Sequence, residues 1–208
     1  MNPTSHSKIE PEQPPIFLAS GSAARQTLLK KAGLSFEILP ANIDEYALLE
    51  LHRAKAPTDK ALILSCEKAL AVSREKPGVL VIGSDQILCL GDKILNKARN
   101  RNDALEKLRI LRGKTHRLVS GVAVARDGEI LWQFTDTAEL TMRDFDETFL
   151  HAYARIAGDA LTDCAGAYQI EGAGAWLFSK IDGDYFTIMG MPLPALLGYL
   201  FDMQGIKP

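Results

Sequence analysis

Pro77-Gly78-Val79-Leu80-Val81-Ile82-Gly83-Ser84-Asp85-Gln86 is the stretch whose reading decides the fold. Pro77-Gly78 stops the element before it. Val79 to Ile82 is an unbroken apolar run rich in β-branched residues, the pattern of a strand covered on both faces. It ends in Gly83-Ser84-Asp85, so a buried strand is expected to deliver a carboxylate at its C-terminal end. Ligand sites of open α/β sheets form at such ends. A carboxylate there can bind a magnesium ion or accept a proton from water. The same residue also suits a plain cap of the next element.

On the N-terminal side, Ile16 to Ala19 reads as a short buried strand, broken by Ser20-Gly21-Ser22. Ser22 is placed to cap a helix from Ala23 to Ala32, which Gly33 ends. Ser35 to Leu39 alternates like a strand. A loop with the acidic pair Asp44 and Glu45 follows, and then a helix after Pro57-Thr58 carrying Ala61, Leu64, Ala69 and Val72. On the C-terminal side, Ile87 to Leu90 and Lys93 to Leu95 read as a hairpin around Gly91-Asp92. Asn102 to Leu111 is a helix with its leucines at helical spacing. A long hairpin, Arg117 to Ala125 and Glu129 to Met142, turns at Asp127-Gly128. A helix around Asp146 to Ile156, an irregular Gly/Ala-rich segment from Asp163 to Gly174, a strand from Trp176 to Ile181 and a helix from Pro192 to Met203 complete the chain. The alternation predicts one α/β unit with a mixed sheet.

The 208 residues include 24 basic and 26 acidic ones, a net charge of −2. That balance argues against a protein held on nucleic acid by bulk charge. It leaves room for a small anion gripped by a few cations and backbone N–H groups. Cys66, Cys89 and Cys164 are far apart, which fits buried thiols in a reducing compartment rather than a disulfide or zinc framework. Residues 1–15 are polar and proline-rich and lack a signal peptide's apolar core, so a disordered leader is expected before a single domain over residues 16–208. No apolar run approaches a membrane span, and the expected location is the cytoplasm.

Three places carry candidate chemistry. At Ala19-Ser20-Gly21-Ser22-Ala23-Ala24-Arg25 a strand ends and a helix begins, so free N–H groups favour an anion and Arg25 adds a charged fork. A Ser-Gly-Ser turn that only caps a helix would read the same way. The second place is Asp85. The third joins Asp163 to Gln169 with Asp182-Gly183-Asp184-Tyr185. Glycines there allow close backbone approach to a ligand, and Gln169 can donate and accept, while Asp182 and Asp184 suit turns. The four histidines lack ligand spacing, and His116 suits a strand start. Lys107 and its basic neighbours up to Arg117 read as solvated helix positions, and Trp132 and Trp176 as core or interface aromatics.

From Ile16 to about Leu200 the chain resembles the Maf family of nucleoside triphosphate pyrophosphatases, named for septum formation inhibition. The family's opening Leu-Ala-Ser-x-Ser-Pro-x-Arg stands here as Leu18-Ala19-Ser20-Gly21-Ser22-Ala23-Ala24-Arg25. Ile43-Asp44-Glu45, Lys68-Ala69, Gly83-Ser84-Asp85, Lys97, Leu111 to His116, Ala165 to Ile170 and Gly183-Asp184-Tyr185 follow in the family's order.

The resemblance implies a fold like that of Maf proteins and inosine triphosphatases, a mixed sheet flanked by helices in two lobes with a central cleft. It implies hydrolysis between the α and β phosphates of noncanonical or modified nucleotides, giving a monophosphate and pyrophosphate. Asp85 matches the proton acceptor. Glu45 and Asp85 are the candidates for holding Mg2+ or Mn2+. Ser20, Ser22, Arg25, Lys68, Lys97 and Gln169 are the candidate substrate-binding residues, together with Gln86, which resembles the 7-methyl-GTP type where Thr would resemble the dTTP/UTP type. Ala23-Ala24-Arg25 stands where many members have Pro-Arg-Arg, so one cation is missing. The expected partner is a nucleoside triphosphate, with no nucleic acid and no membrane; a homodimer is a candidate assembly. The alternative reading is a non-catalytic, nucleotide-binding regulator of cell division.

Overall fold

In the computed structural model, which describes residues 14–207, the stretch around Asp85 is one uninterrupted strand, β3 (Leu80–Leu90). The expected break at Gly83-Ser84-Asp85 does not occur, so Asp85 lies in mid-strand rather than at a strand end. The reason is the antiparallel ladder with β5 (Thr115–Arg126), which runs without interruption from Val81↔Ala125 to Cys89↔Arg117. What does end there is the neighbour on the other side. β1 (Ile16–Leu18) pairs in parallel with Leu80 to Ile82 only, and Ala19 N–H closes on Ile82 O at 2.8 Å. Pairing on that edge resumes at Cys89 with the short β4 (Lys93–Ile94). Asp85 therefore sits on a stretch of open strand edge between two neighbours.

Among the described residues seven strands make one mixed sheet. β2 (Glu37–Ile38) lies outside β1, β6 (Glu129–Met142) outside β5, and β7 (Phe178–Asp182) outside β6. The long hairpin turns where its Asp-Gly pair predicted, with Asp127 and Gly128 both at positive φ. Residues 1–13, where most of the expected leader falls, lie outside the described residues. Pro15 O accepts from Leu80 N–H at 3.0 Å, which ties the chain to the sheet from there.

One face of the sheet carries α3 (Pro57–Glu75), whose buried stripe is Ala61, Leu64, Ser65, Lys68, Ala69 and Val72, at the 3- and 4-residue spacing of one helix face. The helix sits on glycine. A Cβ at Gly83 would lie 2.1 Å from Ser65 O, and one at Gly121 2.6 Å from Ala61 O. Gly83 serves as the floor on which α3 lies, not as a turn.

The opposite face is split along the strands. At one end α1 (Ala23–Lys31) and α8 (Leu193–Gln204) pack on Leu18, Leu80, Ile82, Val122 and Val124. At the other end α4 (Arg101–Leu111) and α5 (Glu147–Ala157) pack on Leu88, Leu118 and Leu140. Between these two lobes β3 and β5 show Ser84, Gln86 and Ser120. Along this face β3 reads apolar, polar, apolar, and the polar middle is where a cleft opens.

Two further expectations are corrected. The Asp44-Glu45 segment is a helix start, not a loop: Asp44 accepts from Ala47 N–H at 2.9 Å and caps α2 (Glu45–Leu51). Trp176 belongs to a 3-10 turn (Ala173–Leu177) that precedes β7, and is 73% exposed rather than core. Trp132 is partly buried and stacks between Phe134 and Tyr199.

Gly83→Ala is expected to destabilise the fold by about 3 kcal/mol or more, because the added methyl meets helix backbone that cannot step aside. Denaturant unfolding checks this, and wild-type stability in the variant would refute the close seat of α3.

Candidate active site

At the C-terminal end of β1 the chain turns through Ser20-Gly21-Ser22 into α1. Ser22 caps that helix, its Oγ 3.5 Å from Arg25 N. Ser20 Oγ accepts from Ser22 N–H at 3.3 Å and from Arg25 Nη1 at 3.0 Å. Arg25 Nε donates to Gly190 O at 2.9 Å, so two of the five guanidinium donors hold the side chain in place, and it is buried. Burial lowers the Arg25 pKa, against the pull of Asp85 and Glu45.

On the other face, Lys68 points from α3 onto the open edge. Its Nζ lies 2.6 Å from Asp85 Oδ1 and 2.7 Å from Glu45 Oε1, one ammonium between two carboxylates. Glu45 reaches in because Asp44 starts α2 just before it. Lys68 and Asp85 are each 8% exposed. The Asp85 N–H donates to Ser65 Oγ at 3.0 Å, and Ser65 Oγ in turn donates to Ala61 O at 2.7 Å, so helix and strand are pinned beside the carboxylate. Burial raises the Asp85 pKa, while Lys68 and Arg25 pull it back and Glu45 adds to the rise. A carboxylate so balanced is a stronger proton acceptor than a solvated one.

Gln86 points to the opposite face from Asp85. Its Nε2 lies 3.0 Å from Ser120 Oγ, Thr187 O and Ile188 O. Ser120 Oγ donates to Thr187 O at 2.8 Å and so can accept from Gln86. Two carbonyls can only receive an N–H, which fixes the amide orientation and leaves Oε1 as the acceptor that Gln86 can offer the cleft.

The remaining wall comes from two loops. One carries Lys97 and the other runs from Cys164 to Glu171; Lys97 and Gln169 are both exposed. Three buried side chains suspend the second loop. Lys107 donates to Ala165 O at 2.7 Å, Tyr153 OH to Ala167 O at 2.9 Å, and Tyr168 OH lies 2.7 Å from His116 Nε2. Ala167 is held at φ +60, a costly position for a residue with a Cβ. Lys107 also donates to Asn96 O in the first loop. Far from being solvated, Lys107 is 6% exposed. Burial pulls its pKa down to about 8, with Asp103 opposing and Lys97 adding to the fall.

One cleft of about 650 Å³ takes in Ser20, Ser22, Arg25, Glu45, Lys68, Asp85, Gln86, Lys97 and Gln169. The open edge of β3 lets it meet both faces of the strand. Asp182 and Asp184 stay outside it: Asp182 pairs with Lys180 at 3.0 Å, and Asp184 caps the short helix α7 (Tyr185–Ile188). His116 is also outside, buried against Tyr168.

Sequence reasoning placed Asp163 in a candidate segment without giving it a role and passed over Glu171, although both line the cleft. It also missed the pinning role of Ser65. For Ser65 a signal existed, since it falls on the apolar stripe of α3 one position from Leu64. Lys107 carried a similar signal, one position before Leu108 and three after Ala104, both buried. Nothing local marks Glu171, because its place depends on how the loop folds.

The sequence profile of a family described as Maf-like protein matches residues 15–203. A nucleoside triphosphate pyrophosphatase of Bradyrhizobium diazoefficiens is 48% identical over 190 residues, 91% of this chain and 94% of that one. A 7-methyl-GTP pyrophosphatase of Brucella abortus is 48% identical over 187 residues, 89% of this chain and 94% of that one. Among solved structures, a nucleoside-triphosphatase / dITP/XTP pyrophosphatase of Mycobacterium abscessus gives a TM-score of 0.44 at 16% identity, over 88% of this chain and 98% of that one.

Burial lowers the His116 pKa to about 4. The unfolded chain, with an ordinary histidine near 6.5, then binds a proton that the folded chain refuses. Stability should fall as pH drops from about 6.5 towards about 4, by about 3 kcal/mol from this residue. Unfolding free energies across that window should be flatter in His116→Asn; equal slopes in the two proteins would refute a buried neutral histidine.

Proposed function

The chain belongs to the Maf family, and from that premise we propose that it is a nucleoside triphosphate pyrophosphatase, splitting the α–β phosphoanhydride to release a monophosphate and pyrophosphate. The observation that carries the proposal is the convergence, in one cleft, of Arg25, Lys68 and Lys97 with the Glu45 and Asp85 carboxylates. Opening a phosphoanhydride needs cations on the non-attacked oxygens and a water aligned with the leaving oxygen.

Glu45 and Asp85 would hold a divalent cation. Their oxygens already converge on one positive charge, that of Lys68, and hard carboxylate oxygens suit Mg2+ or Mn2+. When bound, such an ion neutralises charge on the phosphate oxygens. Asp85 takes the proton of the attacking water, whose oxygen bonds to phosphorus as the bridging P–O bond breaks and pyrophosphate leaves with the electron pair. Lys68 can turn from the carboxylates to the phosphates. The Ser20–Arg25 turn holds one end of the phosphate chain through N–H groups and the guanidinium, and Lys97 binds from the facing wall.

For the base, Gln86 Oε1, Gln169, Asp163 and Glu171 offer acceptors and negative charge. That lining favours a cationic base such as 7-methylguanine over thymine or uracil, in line with the name of the Brucella relative. The non-catalytic regulator is not favoured, since relatives sharing nearly half their residues with this chain carry enzyme names. Among the described residues no helix is long and apolar enough to cross a membrane.

The test is a panel of 7-methyl-GTP, GTP, dTTP and UTP with Mg2+, read as pyrophosphate release. Turnover is expected with 7-methyl-GTP preferred; release of orthophosphate alone, or no release from any triphosphate, would sink the proposal. Asp85→Asn should lower kcat by about a hundredfold or more. Chelation should abolish turnover, and added Mg2+ or Mn2+ restore it. Full activity in the variant or in chelator would remove the roles given to Asp85 and the ion.

A further inference from the structure

Lys107 is a buried cation to which the chemistry above gives no part. It lies on α4, behind the cleft wall, and is not among the residues lining the cleft. Its ammonium donates to the carbonyls of Asn96 and Ala165, which are 69 positions apart and belong to the two loops that together form one wall of the cleft. Asn96 immediately precedes Lys97. Ala165 begins the run that ends in Gln169 and Glu171. Neither loop is tied to the other by a strand, and the Lys97 loop follows a strand of only two residues, β4. The second loop has further supports in Tyr153 and His116, but these do not reach the first.

We infer that Lys107 is a positioning residue for the triphosphate site: by clipping the Lys97 loop to the Ala165–Gln169 loop, it sets where the Lys97 ammonium stands over the phosphates. The inference rests on the pyrophosphatase reading. A backbone carbonyl held next to Lys97 fixes the root of a long side chain, so loss of the clip lets the cation drift while its charge remains. Lys97 holds phosphate oxygens before and during bond breaking, and weakening such uniform binding raises KM with little change in kcat. A second lysine beside Lys97 is tolerable because two N–H donors suffice for two carbonyls. The clip thus survives the loss of one proton, towards which burial pushes it.

The test compares Lys107→Met, Lys107→Arg, Lys97→Met and the Lys97→Met/Lys107→Met double variant, with kcat and KM measured for the best triphosphate of the panel. Lys107→Met should raise KM about tenfold with kcat within about threefold, and Lys107→Arg, which keeps N–H donors, should recover most of the loss. In the Lys97→Met background, Lys107→Met should add less than about twofold to KM, because the residue through which it acts is already gone. An unchanged KM in Lys107→Met would overturn the inference, as would a KM penalty that persists in full without Lys97. Should Lys107→Met fail to fold, Lys107→Gln takes its place in both backgrounds with the same outcomes decisive. A wild-type protein that releases no pyrophosphate defeats the reaction assignment instead, and the Kd of 7-methyl-GTP, measured by calorimetry in the same variants, then decides the clip. An unchanged Kd in Lys107→Met, or a Kd penalty that persists in full without Lys97, would mean that Lys107 does not act through Lys97.

Discussion

One ammonium held between two carboxylates organises this molecule. Lys68 is buried on the apolar stripe of α3, and its charge is tolerable there only because Asp85 and Glu45 meet it at 2.6 and 2.7 Å. That meeting needs α3 to lie almost on the backbone of β3 and β5, which the bare Cα positions of Gly83 and Gly121 permit. It also needs β3 to be free of a neighbour at Asp85, which follows from β1 stopping at Leu18. Helix seat, strand edge and charge triad depend on each other. Removing one carboxylate would leave Lys68 with half its compensation, and removing Lys68 would leave two buried or half-buried anions facing each other.

The two sides of the cleft are built differently. The side formed by Ser20, Arg25, Lys68 and Asp85 is buried and tied by hydrogen bonds into the sheet and its helices. The side that carries Lys97, Gln169 and Glu171 is exposed loop, suspended from Lys107, Tyr153 and His116. Such a division suits a ligand with an invariant part and a variable one. Phosphate groups are alike in every nucleotide and can be met by a fixed constellation. Bases differ, and loops hung on a few buried side chains can be altered without disturbing the sheet.

Much of this architecture was legible in the residues. The stripe of α3, the leucines of α4 and the Asp127-Gly128 hairpin have short-range signals that tertiary packing reinforces. The candidate residues from Ser20 to Gln169 do line one cavity. The misreadings share a physical cause. Gly83-Ser84 looks like a turn because glycine and serine favour turns locally. Here glycine is demanded by α3, which lies outside the local sequence pattern but close in space, through Ser65 and Ala69. Lys107 reads as a surface residue because a lysine on an amphipathic helix usually is one, and only the arrival of two distant carbonyls makes its burial tolerable. Along β3 the alternation Leu80, Ile82, Ser84, Gln86, Leu88 already wrote the cleft into one face, but that is visible only once the strand is known to continue past Asp85.

The hydrogen bond from Arg25 to Gly190 spans 165 residues. A ribosome releases the Arg25 turn early and Gly190 late. Until the later segment emerges, the guanidinium lacks the carbonyl that orients it, although the Lys68–Asp85 pair, only 17 residues apart, can already form. The nascent chain therefore carries an unoriented Arg25 through most of its synthesis. The guanidinium is set in place by a backbone carbonyl supplied only near the end of the chain.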